Sequence, residues 1–189
     1  MDFQLLSSVA LGIALSACCG FRVFVPLLGG AVAGYQQWYE LPPDLQWMGT
    51  LPAVLAFGTA ALVEIAAYYI PVVDNFLDAI ASPLAVGAGT LLAASFLPLA
   101  DVDPLLKWVL ALLAGGSAAG TIHAGTGLLR LASTKFTATL GNPVVATGEN
   151  TAAIGGTVLS FLMPVVIAVV LLLLMGWILV KLLSRRSRR

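Results

Sequence analysis

An arginine set inside a membrane-length apolar run restricts this chain more than any other feature. From Val9 to Gly34 the residues are apolar or small except for Arg22, with Pro26 four positions further on. A run of that length can cross a bilayer, which puts Arg22 below the headgroups. A guanidinium at the centre of a spanning helix costs about 2.5–3.5 kcal/mol on insertion scales unless a carboxylate, a carbonyl oxygen or water meets it. The remainder of the chain must supply that partner.

Candidate partners are few, because 60% of the residues are hydrophobic and only 10% are charged. Soluble domains carry about 25% charged residues, so this composition is that of an integral membrane protein. At about 20 residues per crossing, the 189 residues predict an all-α, polytopic helix bundle. It forms a single transmembrane domain over 1–189, with about five spans plus re-entrant or interfacial helices. No soluble enzymatic domain fits, and no nucleophile motif, metal motif or nucleotide loop is present; the chain is not expected to be an enzyme or to carry a cofactor. Cys18 and Cys19 are adjacent and are the only cysteines, and one histidine with scattered carboxylates lacks the ligand spacing of a metal site. Leu15-Ser-Ala-Cys18 has the look of a lipoprotein cleavage box. The N-terminal residues before it carry no positive charge and the apolar run continues beyond it, so a retained first helix is the expectation.

Nine acidic and nine basic residues cancel, but Lys181, Arg185, Arg186, Arg188 and Arg189 crowd the last nine positions. The tail over 184–189 is expected in the cytoplasm by the positive-inside rule, gripping anionic lipid rather than nucleic acid.

Taken in order, the first span is expected over about 8–34 as an interior helix, with Ser16-x-x-x-Gly20 and Gly30-x-x-x-Gly34 as small faces for close approach. An interfacial loop follows, Tyr35 to Trp47, where Pro42-Pro43 excludes continuous helix. A second span covers about 51–70 and carries Glu64. Asp74 and Asp78, spaced i,i+4, share a face of a short amphipathic helix before Pro83. A third span covers about 84–100, a fourth about 106–132, and 151–183 is read as a half-helix feeding an anchor helix across Pro164. Five crossings put Lys107 and the basic tail on one side, with Arg130 and Lys135 on the other. Six crossings would instead place Arg130 and Lys135 with the tail, and require a turn near Met163-Pro164 that has no polar residue.

Two stretches look like copies. Ser16 to Arg22 can be laid on Ser117 to His123, and the segment from Ser82-Pro83 to Pro98 on that from Asn142-Pro143 to Pro164. This suggests repeat halves over 1–104 and 105–183, inverted as in many transporters, with Arg22 and His123 facing one another.

The combination of Cys-Gly-Phe-Arg22, Pro71-x-x-Asp74-x-x-x-Asp78-x-Ile-Ala-x-Pro83, His123 with Arg130 and Ser133-Thr134, and Gly141-Asn142-Pro143 followed by Glu149 resembles the domain-of-unknown-function 4126 family of small bacterial membrane proteins. The resemblance covers nearly the whole chain and implies a multi-pass protein of the bacterial inner membrane. It implies no activity. Thr126 stands where that pattern often has a lysine, and Glu149-Asn150 where it often has Glu-Asp.

Ionisable groups inside a membrane are functional candidates. Arg22, Glu64, Asp74, Asp78, His123, Asn142 and Glu149 are the candidate substrate-binding or gating residues, with Arg130 and Lys135 beside them. Asn142-Pro143 reads as a helix break of the kind that lines a watered cavity, and His123 could titrate near neutral pH. Two readings follow. One is a transporter or channel for a small solute or ion. The other is a binding or assembly module, a homo-oligomer included, in which Arg22 pairs with Asp78 or Glu64, and Glu149 with Arg130 or Lys135, to fix helix packing.

Overall fold

The computed structural model describes residues 3–99, 102–137 and 141–186, and for residues 71–79, 185 and 186 the backbone alone. The expected all-helical architecture is what the described residues form. Helix α1 spans Phe3–Cys18 and α2 Phe24–Tyr35; after a 3₁₀ segment, Pro43–Gly49, come α3 (Leu51–Ala67) and α4 (Pro71–Phe96). Helix α5 (Pro104–Ala111) continues through a π segment, Leu112–Gly116, into α6 (Ser117–Thr137), followed by α7 (Asn142–Leu162) and α8 (Pro164–Arg186). Two helices, Pro104–Thr137 and Pro164–Ser184, are long and apolar enough to cross a membrane, or three if the bent pair Pro43–Gly49 and Leu51–Ala67 acts as one span.

The first expected span is not a single helix. It folds into a hairpin whose arms are α1 and α2 and whose tip is Cys19–Val23. The two open ends lie together, since Phe3, Gln4 and Ser7 share a cleft with Trp38, Tyr39 and Glu40. The turn is fixed from both sides. Carbonyls of the last turn of α1 still accept from the amides of Cys19, Gly20 and Phe21, while the first amides of α2, at Val23 and Phe24, donate to the Glu64 carboxylate at 2.8 and 3.0 Å. A carboxylate there satisfies two amides that have no partner within the helix and complements the helix dipole. The far end of α2 closes with Gln37 at φ 57°, the amides of Gln37 and Trp38 donating back to Gly34 and Ala33 in the doubled pattern that ends helices in the left-handed region.

Successive helices run up and down. Descending α2 passes Leu92 and Phe96 of α4 at Gly30 and Thr157 of α7 at Gly29, so α4 and α7 descend with it. Ascending α1 matches α6 in the same direction: Ser16 lies against Gly115, and Gly20 against Ala119–His123. The segments compared as copies thus run parallel, α1 with α6 and α4 with α7, and not inverted.

Close crossing of the helices depends on the small residues. A Cβ on Gly20 would lie 2.5 Å from the Ala119 carbonyl oxygen, one on Gly89 2.6 Å from that of Gly115, and one on Gly115 would run into the Gly89 carbonyl oxygen. Ser16 donates from Oγ to that same Gly89 oxygen at 2.8 Å. Around these crossings Leu15, Cys19, Leu27, Met48, Leu92 and Phe96 form the main core cluster, and Cys18 packs with Ala118, Ile122 and Leu171 in a second. The cysteines are free and buried.

Two further expectations change. Pro83 lies inside α4 rather than ending a helix, because one missing amide is outweighed where buried Ala81, Ala85 and Ala88 hold the segments on both sides. The half-helix before Pro164 is a full 21-residue helix, α7, with Pro143 in its first turn, and the chain turns at Met163. Helix α8 therefore ascends beside α6. Lys181 shares a cleft with Leu129 and Ala132, whereas Lys107 sits at the opposite end with Asp44. Lys107 and Lys181 do not share an end, as five crossings required; the described C-terminal end of α8 lies with Arg130 and Lys135.

Candidate functional site

The hairpin tip carries Arg22 into the centre of the bundle, where its side chain is 1% exposed. Its partners come from α7. Nη1 donates to Glu149 Oε2 at 2.7 Å, Nε to Asn150 Oδ1 at 2.6 Å and Nη2 to the Ala146 carbonyl at 3.3 Å, with a further bond from Nη1 to the Phe21 carbonyl at 3.1 Å. Four bonds to a group with five N–H donors answer the requirement that the sequence raised. A spanning helix could not have made them, because only the broken backbone at Cys19–Val23 aims the guanidinium sideways at α7.

Glu149 is shared. Arg130, on α6, donates from Nε to Glu149 Oε1 at 3.0 Å and pairs through Nη2 with Oε2, the oxygen that Arg22 also holds. The Glu149 side chain is 5% exposed, so the two guanidiniums bracket one carboxylate away from bulk water. Both cations also lie over the ring of Tyr68, at 3.9 Å for Arg22 and 4.2 Å for Arg130, within the range in which the negative ring face attracts a cation. Asn150 extends the network outward, its Nδ2 donating to the Tyr69 hydroxyl at 3.3 Å, and that hydroxyl lies 3.0 Å from Thr147 Oγ1.

The expected residues divide accordingly. Arg22, Arg130 and Glu149 converge, and of the pairs considered for Glu149 the one formed is with Arg130; Lys135 is exposed on the last turns of α6. Glu64 is buried at the same level, but its carboxylate caps α2 in place of pairing with Arg22. His123 lies half-buried on α6 where Gly20 crosses, and Arg22 turns from it toward α7. Asn142 opens α7 with its side chain 3.4 Å from Thr134 Oγ1, two helical turns before Glu149. Asp74 and Asp78 belong to the first turns of α4, but their side chains and those of Arg185 and Arg186, with Arg188 and Arg189 entirely, lie outside the described residues. Lys181 stands over the Trp177 ring at 4.5 Å.

Tyr68 and Asn150 were not anticipated. Tyr68 follows Glu64 by four residues, the spacing that puts both on one helix face, and Asn150 adjoins Glu149; those were the available signals. The ion pair of Lys107 with Asp44, in which Nζ reaches both carboxylate oxygens at 2.8 Å, had no such signal, because its partners are 63 positions apart.

Two clefts approach the charged centre. One of about 170 Å³ between α3 and α4 is lined by Val23, Phe24, Glu64, Tyr68, Ile80 and Leu84. The other, about 460 Å³ between α6 and α7, is walled by Phe21, Leu129, Phe136 and Val145 and reaches Glu149. Among the described residues no group of three or more histidine, cysteine or acidic side chains is placed to hold a metal ion.

No curated protein and no solved structure matches the chain. The family model of the domain of unknown function DUF4126 matches residues 9–185, nearly the whole length, and the chain belongs to that family.

Proposed function

We propose that the protein is a multi-pass transporter for a small charged solute or ion, working in a bacterial cytoplasmic membrane, with Arg22, Glu149, Arg130 and Tyr68 as its central site and gate. One observation carries the reading: a buried carboxylate bracketed by two arginines stands between two clefts, at the tip of a helical hairpin. Broken helices supply transport sites because their ends bring both backbone groups and side chains to bear at membrane depth. The site performs no bond chemistry in this reading. Arg22 and Arg130 hold the substrate's charge, Tyr68 supports them, and Glu64 keeps the hairpin tip closed. The whole chain acts as one transmembrane domain, and its C-terminal tail is cytoplasmic with the Arg130 end of the bundle.

The test is charge movement by the full chain reconstituted on a solid-supported membrane, challenged with a panel of inorganic ions, organic anions and lipid phosphates. A current that Arg22→Gln abolishes, in protein that still elutes as a folded monodisperse species, supports transport. Absence of current from every probe in folded wild-type protein would instead favour a structural ion-pair network in an assembly module.

A further inference from the structure

The two clefts differ in what can enter them. The cleft between α6 and α7 opens on a flank where Leu129 and Phe136 are exposed, a surface suited to hydrocarbon. Its walls are mainly apolar, with Thr126 and Ser133 the hydroxyl-bearing exceptions, down to Glu149, behind which both arginines lie. A hydrated inorganic ion would lose its water against such walls with only two hydroxyl groups in exchange. A hydrocarbon chain alone would leave the charged floor unused. At about 460 Å³ the space is within the roughly 300–1,000 Å³ of small-molecule sites. Two guanidiniums converging on one carboxylate present the forked donors that also suit a phosphate.

We infer that the substrate is an anionic amphiphile, a lipid phosphate, whose headgroup competes with the Glu149 carboxylate for Arg22 and Arg130 while its chain lies in the cleft between α6 and α7. This rests on the transport reading and names the class of molecule for the same site. Glu149 acts as an internal occupant that satisfies the arginines until a headgroup takes its place. Gly148 keeps the entrance clear: it is exposed on the cleft wall, and a Cβ built on it meets no atom within 4 Å.

Gly148 also supplies the test. Gly148→Trp places a large ring in open space on the cleft wall without disturbing the charged centre, and removing a helical glycine favours the helix. Binding of dodecyl phosphate and of inorganic phosphate to the full chain in a non-ionic detergent is measured by calorimetry, with dodecyltrimethylammonium as the chain control. The expected result is binding of dodecyl phosphate alone, weakened at least about tenfold by Gly148→Trp and tightened about tenfold by Glu149→Gln, whose amide is a weaker competitor for the guanidiniums. Should Glu149→Gln fail to fold, Gly148→Trp still decides. Equal binding of inorganic phosphate, equal binding of the cationic amphiphile, or indifference to Gly148→Trp overturns the amphiphile. Charge movement with a water-soluble ion that Gly148→Trp leaves intact would overturn it too, while leaving the transport reading standing.

Discussion

The bundle holds an ion pair at one end and an ion cluster in its interior, and the two are built differently. At the end Lys107 reaches both oxygens of Asp44, whose side chain is 51% exposed while that of the lysine is 7% exposed; inside, Arg22 and Arg130 share Glu149, all three side chains being at most 7% exposed. The first pair keeps water on its acid though not on its lysine, so losing the lysine returns one carboxylate to solvent at little cost. The second has exchanged water for protein on every side, so removing a single member strands a charge. Burial, rather than the number of charge pairs, decides what each pair contributes, and only the buried cluster is held in one geometry that a substrate could read.

The largest effect expected from breaking that contrast is at Arg22. Arg22→Gln should lower stability by about 3–5 kcal/mol, the usual cost of leaving a buried partner unpaired, seen as a large fall in thermal midpoint. The simultaneous change of Arg22, Arg130 and Glu149 to apolar residues should recover much of that loss while abolishing binding. A triple variant as unstable as Arg22→Gln would mean that the charges themselves hold the fold.

Next comes the crossing that carries the hairpin. Gly115→Val should destabilise by about 1–3 kcal/mol, the typical cost of overpacking, because its side chain meets the Gly89 backbone and forces α4 from the π segment. Unchanged thermal stability would show that the crossing is looser than described. Tyr68→Leu removes the ring under both arginines and should cost roughly 1–2 kcal/mol with a measurable loss of ligand affinity. A variant with full affinity would remove Tyr68 from the site.

The smallest effect belongs to the exposed end. The hydrogen bond from Lys107 holds the Asp44 carboxyl below its ordinary 3.8, so its stabilisation is complete above that value and is lost as pH falls through the lower, folded-state value. Lys107→Met, which leaves Asp44 to solvent, should flatten this acid limb of a thermal-midpoint profile and alter little at neutral pH. A fall at neutral pH as large as that of Arg22→Gln would erase the contrast between the two.

Much of the fold was legible because hydropathy follows from composition alone. The apolar runs expected over about 51–70 and 106–132 lie in α3 and in α5 with α6, and an intramembrane arginine demanded a partner. Asn142-Pro143, read as a helix break lining a cavity, is where α7 begins, and neither residue lines the two clefts at the charged centre. What could not be read was direction. Whether Val9–Gly34 crosses or turns back depends on whether Cys19–Val23 finds something to take its free amides, and Glu64, 40 and 41 positions away, supplies it. The parallel course of α1 and α6, which undid the inverted repeat, follows from that turn.

Residue types alone established that the chain is helical, apolar and obliged to neutralise Arg22, because those properties belong to side chains and their transfer from water. The tertiary structure chose Glu149 over Glu64 as the arginine's partner, brought Tyr68 and Arg130 to the same place, and set Lys107 and Lys181 at opposite ends. Such choices depend on where the backbone bends and which glycines let helices touch, and a hydropathy pattern contains neither distance nor angle.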